Sequence, residues 1–115
     1  MGYRSEVVFV LKPEALEELE ELSNHDMELN SLLQTMRGNA LEHSDEHNIF
    51  YHSWVKWYED SDNQVKLIMD FFERLDTEGR ENEYGYIRLG ENNDDIDERG
   101  SPYNLGLDWT RKLTF

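Results

Sequence analysis

The chain contains no cysteine. Disulfides, thiolate nucleophiles and cysteine-based zinc sites are therefore excluded, and with them a positive argument for secretion. No apolar run approaches the roughly 20 residues that span a bilayer, and no charged-then-apolar leader opens the chain. Basic residues are scarce: 11 Lys and Arg stand against 26 Asp and Glu, for a net charge of −15. Phosphate affinity comes from Lys and Arg, so direct nucleic-acid binding and an anionic membrane surface are both disfavoured. Such a charge leaves a basic protein partner, a cation, or solubility alone. Gly85, Gly90, Gly100 and Gly106 never reach phosphate-loop spacing and no Ser–His–Asp pattern is visible, so no cofactor is expected. These absences describe a cytoplasmic protein that is not an enzyme.

What is present is aromatic. Three Trp, six Tyr and five Phe in 115 residues place much burial in few side chains, enough for one α/β domain over 1–115 despite the charge. The most apolar run, within Gly2 to Leu11, ends with apolar residues on both faces and suits a central strand. Pro13 then fits the first turn of a helix. Ala15, Leu16, Leu19 and Leu22 form its stripe, with Glu14, Glu17, Glu18, Glu20 and Glu21 on the remainder. Ser23 to Asp26 reads as a break. Leu29, Leu32, Leu33 and Met36 repeat at i, i+3, i+4, i+7 in a second helix closed by Arg37-Gly38.

Residues 39–48 are polar and read as a loop or a short irregular helix. A second strand spans Ile49 to Glu59, with Ile49, Tyr51, Ser53, Val55 and Trp57 on one face and Phe50, His52, Trp54, Lys56 and Tyr58 on the other. Ser61 and Gln64 have capping-box spacing before a helix from Asp62 to Leu75, with Val65, Ile68, Met69, Phe72 and Leu75 as its stripe. A short strand covers Tyr84 to Leu89. The acidic stretch Glu91 to Gly100 reads as a turn region. A last strand, Tyr103 to Phe115, alternates apolar and polar positions and implies one buried and one wet face.

The element order is therefore β-α-α-β-α-β-β. Two strand–helix–strand units in succession favour parallel pairing, and the last two strands pair antiparallel. The expected fold is α+β, an α/β two-layer sandwich. Its four-stranded mixed sheet carries the helices on one face and leaves the other at least partly open.

Three stretches together resemble a family of small phage and prophage proteins. They are Gly2-Tyr3-Arg4-Ser5-Glu6-Val7, Val55-Lys56-Trp57-Tyr58, and Arg88-Leu89-Gly90-Glu91 leading to Asp94-Asp95-Ile96. The resemblance implies a phage origin, action in the host cytoplasm and a host or phage protein as target. It transfers no catalytic residue. Small phage proteins of this kind often act on host proteins, and some acidic ones imitate DNA. An inhibitor of a host defence protein is the sharper form of that implication.

Trp54, Lys56 and Tyr58 beside Arg88, Glu91, Asp94, Asp95 and Asp97 form the candidate interface, since aromatics ringed by charge typify protein contacts. Trp57 reads as core. The acidic loop Glu91 to Glu98 misses the EF-hand spacing, and an ion pair from Arg88 to Glu91, Asp94 or Asp95 is expected there. One motif points elsewhere. His43-Ser44-Asp45-Glu46-His47 fits the inverted zinc-protease pattern H-x-x-E-H, which on a helix sets two imidazoles and a glutamate to hydrolysis. A small metal-dependent hydrolase on His43, Glu46 and His47 is thus the alternative. A self-assembling module, a homodimer joined along the last strand, is the third reading.

Overall fold

Val7, Val8, Phe9, Val10 and Leu11 are all buried, and the fold is assembled outward from them. The structure is a computed structural model. It describes residues 4–58, 62–92, 94–109 and 113–114, with Trp54 and Thr114 described by their backbone alone. The first strand, β1 (Ser5–Leu11), lies between β2 (Ile49–Val55) and β3 (Tyr84–Gly90), and β4 (Ile96–Gly100) pairs on the far side of β3. The helices are α1 (Pro13–Ser23), α2 (Met27–Leu41) and α3 (Asn63–Thr77). The α+β class and the single helical layer follow the pattern of the sequence; the sheet differs from it.

All three pairings in this sheet are antiparallel, so it is not mixed. The reason lies in the connections. One helix between two strands returns the chain to its starting end, whereas two in series return it to the opposite end. Strand β2, reached through α1 and α2, therefore runs against β1. Strands β2 and β3, joined by α3 alone, run parallel to each other but are separated by β1.

Each helix begins where its chemistry allows. Pro13 occupies the first turn of α1, where a missing N–H costs nothing. Asp26 caps α2 by accepting from the Leu29 N–H at 3.0 Å. Asp62 caps α3 by accepting from Gln64 and Val65, and Ser61, expected in that role, lies outside the described residues. Such a cap is worth about 1 kcal/mol. Arg37-Gly38 does not end α2, which runs on to Leu41. The Arg37 guanidinium lies instead over the Phe50 ring, 4.9 Å from its centre.

The helices cover one sheet face. Val7, Phe9, Leu11, Phe50, Tyr84 and Tyr86 meet Leu19, Leu29, Met36, Ile68 and Phe72 there. Phe9 stacks on Phe50 at 4.7 Å, and Phe72 stacks on Tyr84 at 4.5 Å. Each such pair adds about 0.5–1.5 kcal/mol beyond the area buried.

Strand β2 carries a bulge. Ser5 pairs with Val55 but Val7 pairs with His52, so β2 has one residue more than β1 over that interval. The bulge inverts the alternation. Val55 and Trp57 thereby join Phe50 on the helix face instead of opposing it. The strand stops at Val55, and Lys56 to Tyr58 lie beyond it.

The expected last strand does not join the sheet, and β4 instead comes from within the acidic turn region. From Pro102 the chain crosses the face away from the helices. A 3-10 turn at Tyr103–Leu105 leads into a separate ladder of β5 (Asp108–Trp109) and β6 (Leu113–Thr114). Leu107 and Leu113 pack with Leu105 and Trp109 onto Val8, Val10, Ile49 and Ile87, so this back face is covered by a strap. The strap passes so close to β3 that a methyl group on Gly85 would lie 2.5 Å from the Pro102 Cα. Gly100, which turns the chain into the strap, has φ of +71°. Among the described residues no helix is long and apolar enough to cross a membrane.

Candidate functional site

The three motif stretches, far apart in sequence, meet at one end of the sheet. Ser5 pairs with Val55 on one side and with Gly90 on the other. Adjacent strands lie about 4.8 Å apart, so the three stretches sit within roughly 10 Å. The Arg4 N–H ties them further by donating to the Glu91 carboxylate at 2.9 Å. Gly2 and Tyr3 of the first motif lie outside the described residues.

Around this row the side chains separate into buried supports and exposed tips. Trp57 is core, tilted over Tyr86 at 6.5 Å, and its buried indole N–H has no hydrogen-bond partner. Arg88 donates from both Nη atoms to Asp95, at 3.2 and 2.9 Å. Its side chain is only 16% exposed, which makes this the expected ion pair in its stronger, bidentate form. The pair holds the guanidinium above its ordinary pKa, chiefly through the hydrogen bonds to Asp95. With Asp95 about a third exposed, the pair contributes roughly 1 kcal/mol to fixing the hairpin. Asp97 stands opposite Arg88 across the ladder and accepts from Arg99 at 3.3 Å. His52 is half-buried beside Val7, and burial lowers its pKa.

Lys56, Tyr58, Glu91 and Asp94 are the exposed tips. The candidate interface thus divides: these four can meet a partner, whereas Arg88, Asp95 and Asp97 hold the hairpin behind them. The Trp54 side chain lies outside the described residues, as does Asn93 in the hairpin.

A second acidic feature runs along α1. At 100° per residue, Glu14, Glu17 and Glu21 point directly away from the stripe buried at Ala15, Leu19 and Ser23. Glu18 on one flank pairs with Arg74 at 3.2 Å and with Arg80, and the Arg80 hydrogen bonds hold its pKa below the usual range. Glu20 on the other flank lies 3.8 Å from Arg37. Among the described residues Glu14, Glu17 and Glu21 make no ion pair. They form an open row with neighbours about 5–6 Å apart. The other described carboxylates are dispersed over β1, the start of α2, the turn after it, α3, the turn before β3, the β3–β4 hairpin and β5.

The zinc-protease pattern finds no matching geometry. The motif needs a helix to place both imidazoles on one face, and α2 ends at Leu41, before His43. His43, Glu46 and His47 are exposed in the following turn, and His43 lies edge-on to Tyr51 at 5.6 Å. Among the described residues there is no group of three or more His, Asp or Glu able to hold a metal ion.

One cluster was hidden from sequence reasoning. The Glu98 carboxylate accepts from the Tyr103 hydroxyl and from the Trp109 indole N–H, the latter at 2.7 Å. Reading Tyr103 and Trp109 as one strand placed them in a ladder, and no local signal marked Glu98 as the residue they would share.

No protein-family model, curated protein or solved structure matches the chain.

Proposed function

We propose that this is a non-enzymatic binding module that engages a basic protein through the sheet end around Ser5. The observation that carries this reading is the convergence of the three motif stretches on one strand-paired row with four exposed tips. An exposed tyrosine just past β2, at the same sheet end as a charged hairpin braced by Arg88 and Asp95, has the make-up of an interface core. Glu91 and Asp94 select for a basic surface, and the overall charge of −15 steers such a partner at long range. The family resemblance favours a phage origin, a target in the host cytoplasm, and a host defence or nucleic-acid-handling protein as that target.

DNA mimicry is the sharper form of the proposal, and the row on α1 supports it. Glu14 to Glu21 advance about 10.5 Å along the helix axis. Three charges over that length are spaced at about 5 Å, against 3.4 Å of axis per phosphate along one DNA strand. Such a row could stand in for a few phosphates of one strand.

Affinity capture from a bacterial host with the native chain and with a Tyr58→Ala, Glu91→Lys, Asp94→Lys variant tests the proposal. The variant should bind the captured protein at least about tenfold more weakly, with its fold unchanged by circular dichroism. Equal binding by the two chains would refute it. If duplex DNA displaces the native chain and Glu17→Lys weakens it, mimicry is supported. DNA without effect removes mimicry and leaves the interface.

A further inference from the structure

Among the described residues strand β4 pairs on one side only and forms the edge of the main sheet. The direction of its backbone groups can be derived. At one end of the hairpin the Gly90 N–H donates to the Asp95 carbonyl at 2.8 Å, and at the other the Ser101 N–H donates to the Tyr84 carbonyl at 2.9 Å. Antiparallel pairs alternate between hydrogen-bonded and non-hydrogen-bonded, so Asp97 and Arg99 turn their backbone groups to β3. Ile96, Glu98 and Gly100 turn theirs outward. The side chains sort with equal regularity. Asp97 and Arg99 stand opposite Arg88 and Tyr86 on the helix face, and Glu98 stands opposite Ile87 on the back face.

We infer that β4 recognises itself: two copies of this chain pair antiparallel through Ile96–Gly100, about a two-fold axis at Glu98. The strand is self-complementary about that residue. Glu98 meets its own copy through its outward N–H and C=O, and Ile96 meets Gly100 at each end. Asp97 then lies opposite Arg99 of the second copy, twice by symmetry, so the Asp97–Arg99 pairs already made within each chain join into one cluster of alternating charge across the ladder. Pairing in another register or with an unrelated strand lacks that match, which is how a charged edge rejects other chains. The facing glutamates are the one unfavourable juxtaposition. Each Glu98 carboxylate is drawn onto Tyr103 and Trp109 of its own chain, which tie it to the back face. Tyr103 is 51% exposed beside the same edge and extends the contact past the strand. Repulsion between two chains of charge −15 is screened beyond about 8 Å at physiological ionic strength. The pairing uses none of the four exposed tips around Ser5, although Asp97 belongs to the hairpin behind them.

Sedimentation velocity over rising concentration at physiological ionic strength tests this inference. The native chain should pass from monomer to dimer. Arg99→Asp sets carboxylates against Asp97 at two places, and Asp97→Arg sets guanidinium groups against Arg99 at two places. Each change should weaken association about tenfold, and the two together should restore it. Glu98→Pro removes the N–H on the axis, which faces away from β3, and should abolish the dimer while the β3–β4 ladder survives. Circular dichroism separates loss of pairing from loss of fold. A native chain that stays monomeric at every concentration overturns the inference. So does a doubly exchanged chain that is folded but associates no better than either single variant.

Discussion

The two faces of the sheet are held by different means. The helix face is a thick layer in which three helices interlock with stacked aromatic rings, Phe9 on Phe50 and Phe72 on Tyr84. The back face carries a single strap whose apolar contacts are Leu105, Leu107, Trp109 and Leu113. A side chain lost from the thick layer leaves a cavity that surrounding elements cannot close, whereas a side chain lost from the strap leaves a gap the strap can settle into. Global stability thus resides on the helix face, and local opening on the back.

The contrast predicts unequal costs for similar truncations. Phe72→Ala should lower stability by about 3–5 kcal/mol, because the ring touches Phe9, Tyr84 and Tyr86 at once. Leu107→Ala should cost about 2 kcal/mol, the low end of the range for buried leucines. Urea denaturation measures both, and equal losses would erase the distinction between the faces. Gly85→Ala acts on the strap alone, since the added methyl meets the Pro102 backbone. A cost of about 1–2 kcal/mol is expected. Hydrogen exchange should quicken in β5 and β6 but not in α1 or α3; uniform quickening would mean that the two faces open as one.

The smallest effect concerns acid. The Glu18 and Glu83 carboxyls are held below their ordinary value of 4.5, in each case first by hydrogen bonding to Arg80. A carboxyl with a depressed folded pKa stabilises the fold above its unfolded value and loses that contribution as pH falls through the folded one. Thermal melts should therefore decline below about pH 4.5, modestly because these groups are solvent-screened. Arg80→Gln should flatten the decline. An unchanged acid slope in that variant would assign the loss to other carboxylates.

The helices were legible because burial imposes a 3.6-residue period whatever the helix packs on. The stripe Val65, Ile68, Met69, Phe72 and Leu75 is buried throughout. The strands were less so. Alternation at Leu105, Leu107, Trp109 and Leu113 does report one buried side, but a strap lying on a sheet produces it as readily as a strand within one. Strand β4 escaped notice for the converse reason: as an edge it carries Asp97, Glu98 and Arg99 and lacks an apolar rhythm. The bulge in β2 falsified a face assignment that simple alternation had made for Val55 and Trp57. At the candidate site, the pairing of Arg88 with the acidic hairpin was readable from charge. The meeting of three motifs around Ser5 was not, because strand order is set by connections and not by local composition.

The far edge of the sheet is capped at Tyr51. Leu11 donates to the Asn48 carbonyl, so by alternation the Tyr51 carbonyl points away from β1, and Asn39 of α2 donates to it at 3.2 Å. The last turn of α2 reaches around β2, placing Ala40 among the back-face residues. A sheet with both edges open can propagate without limit. Here α2 obstructs one edge, so growth through β4 favours an assembly of two copies over an open fibre.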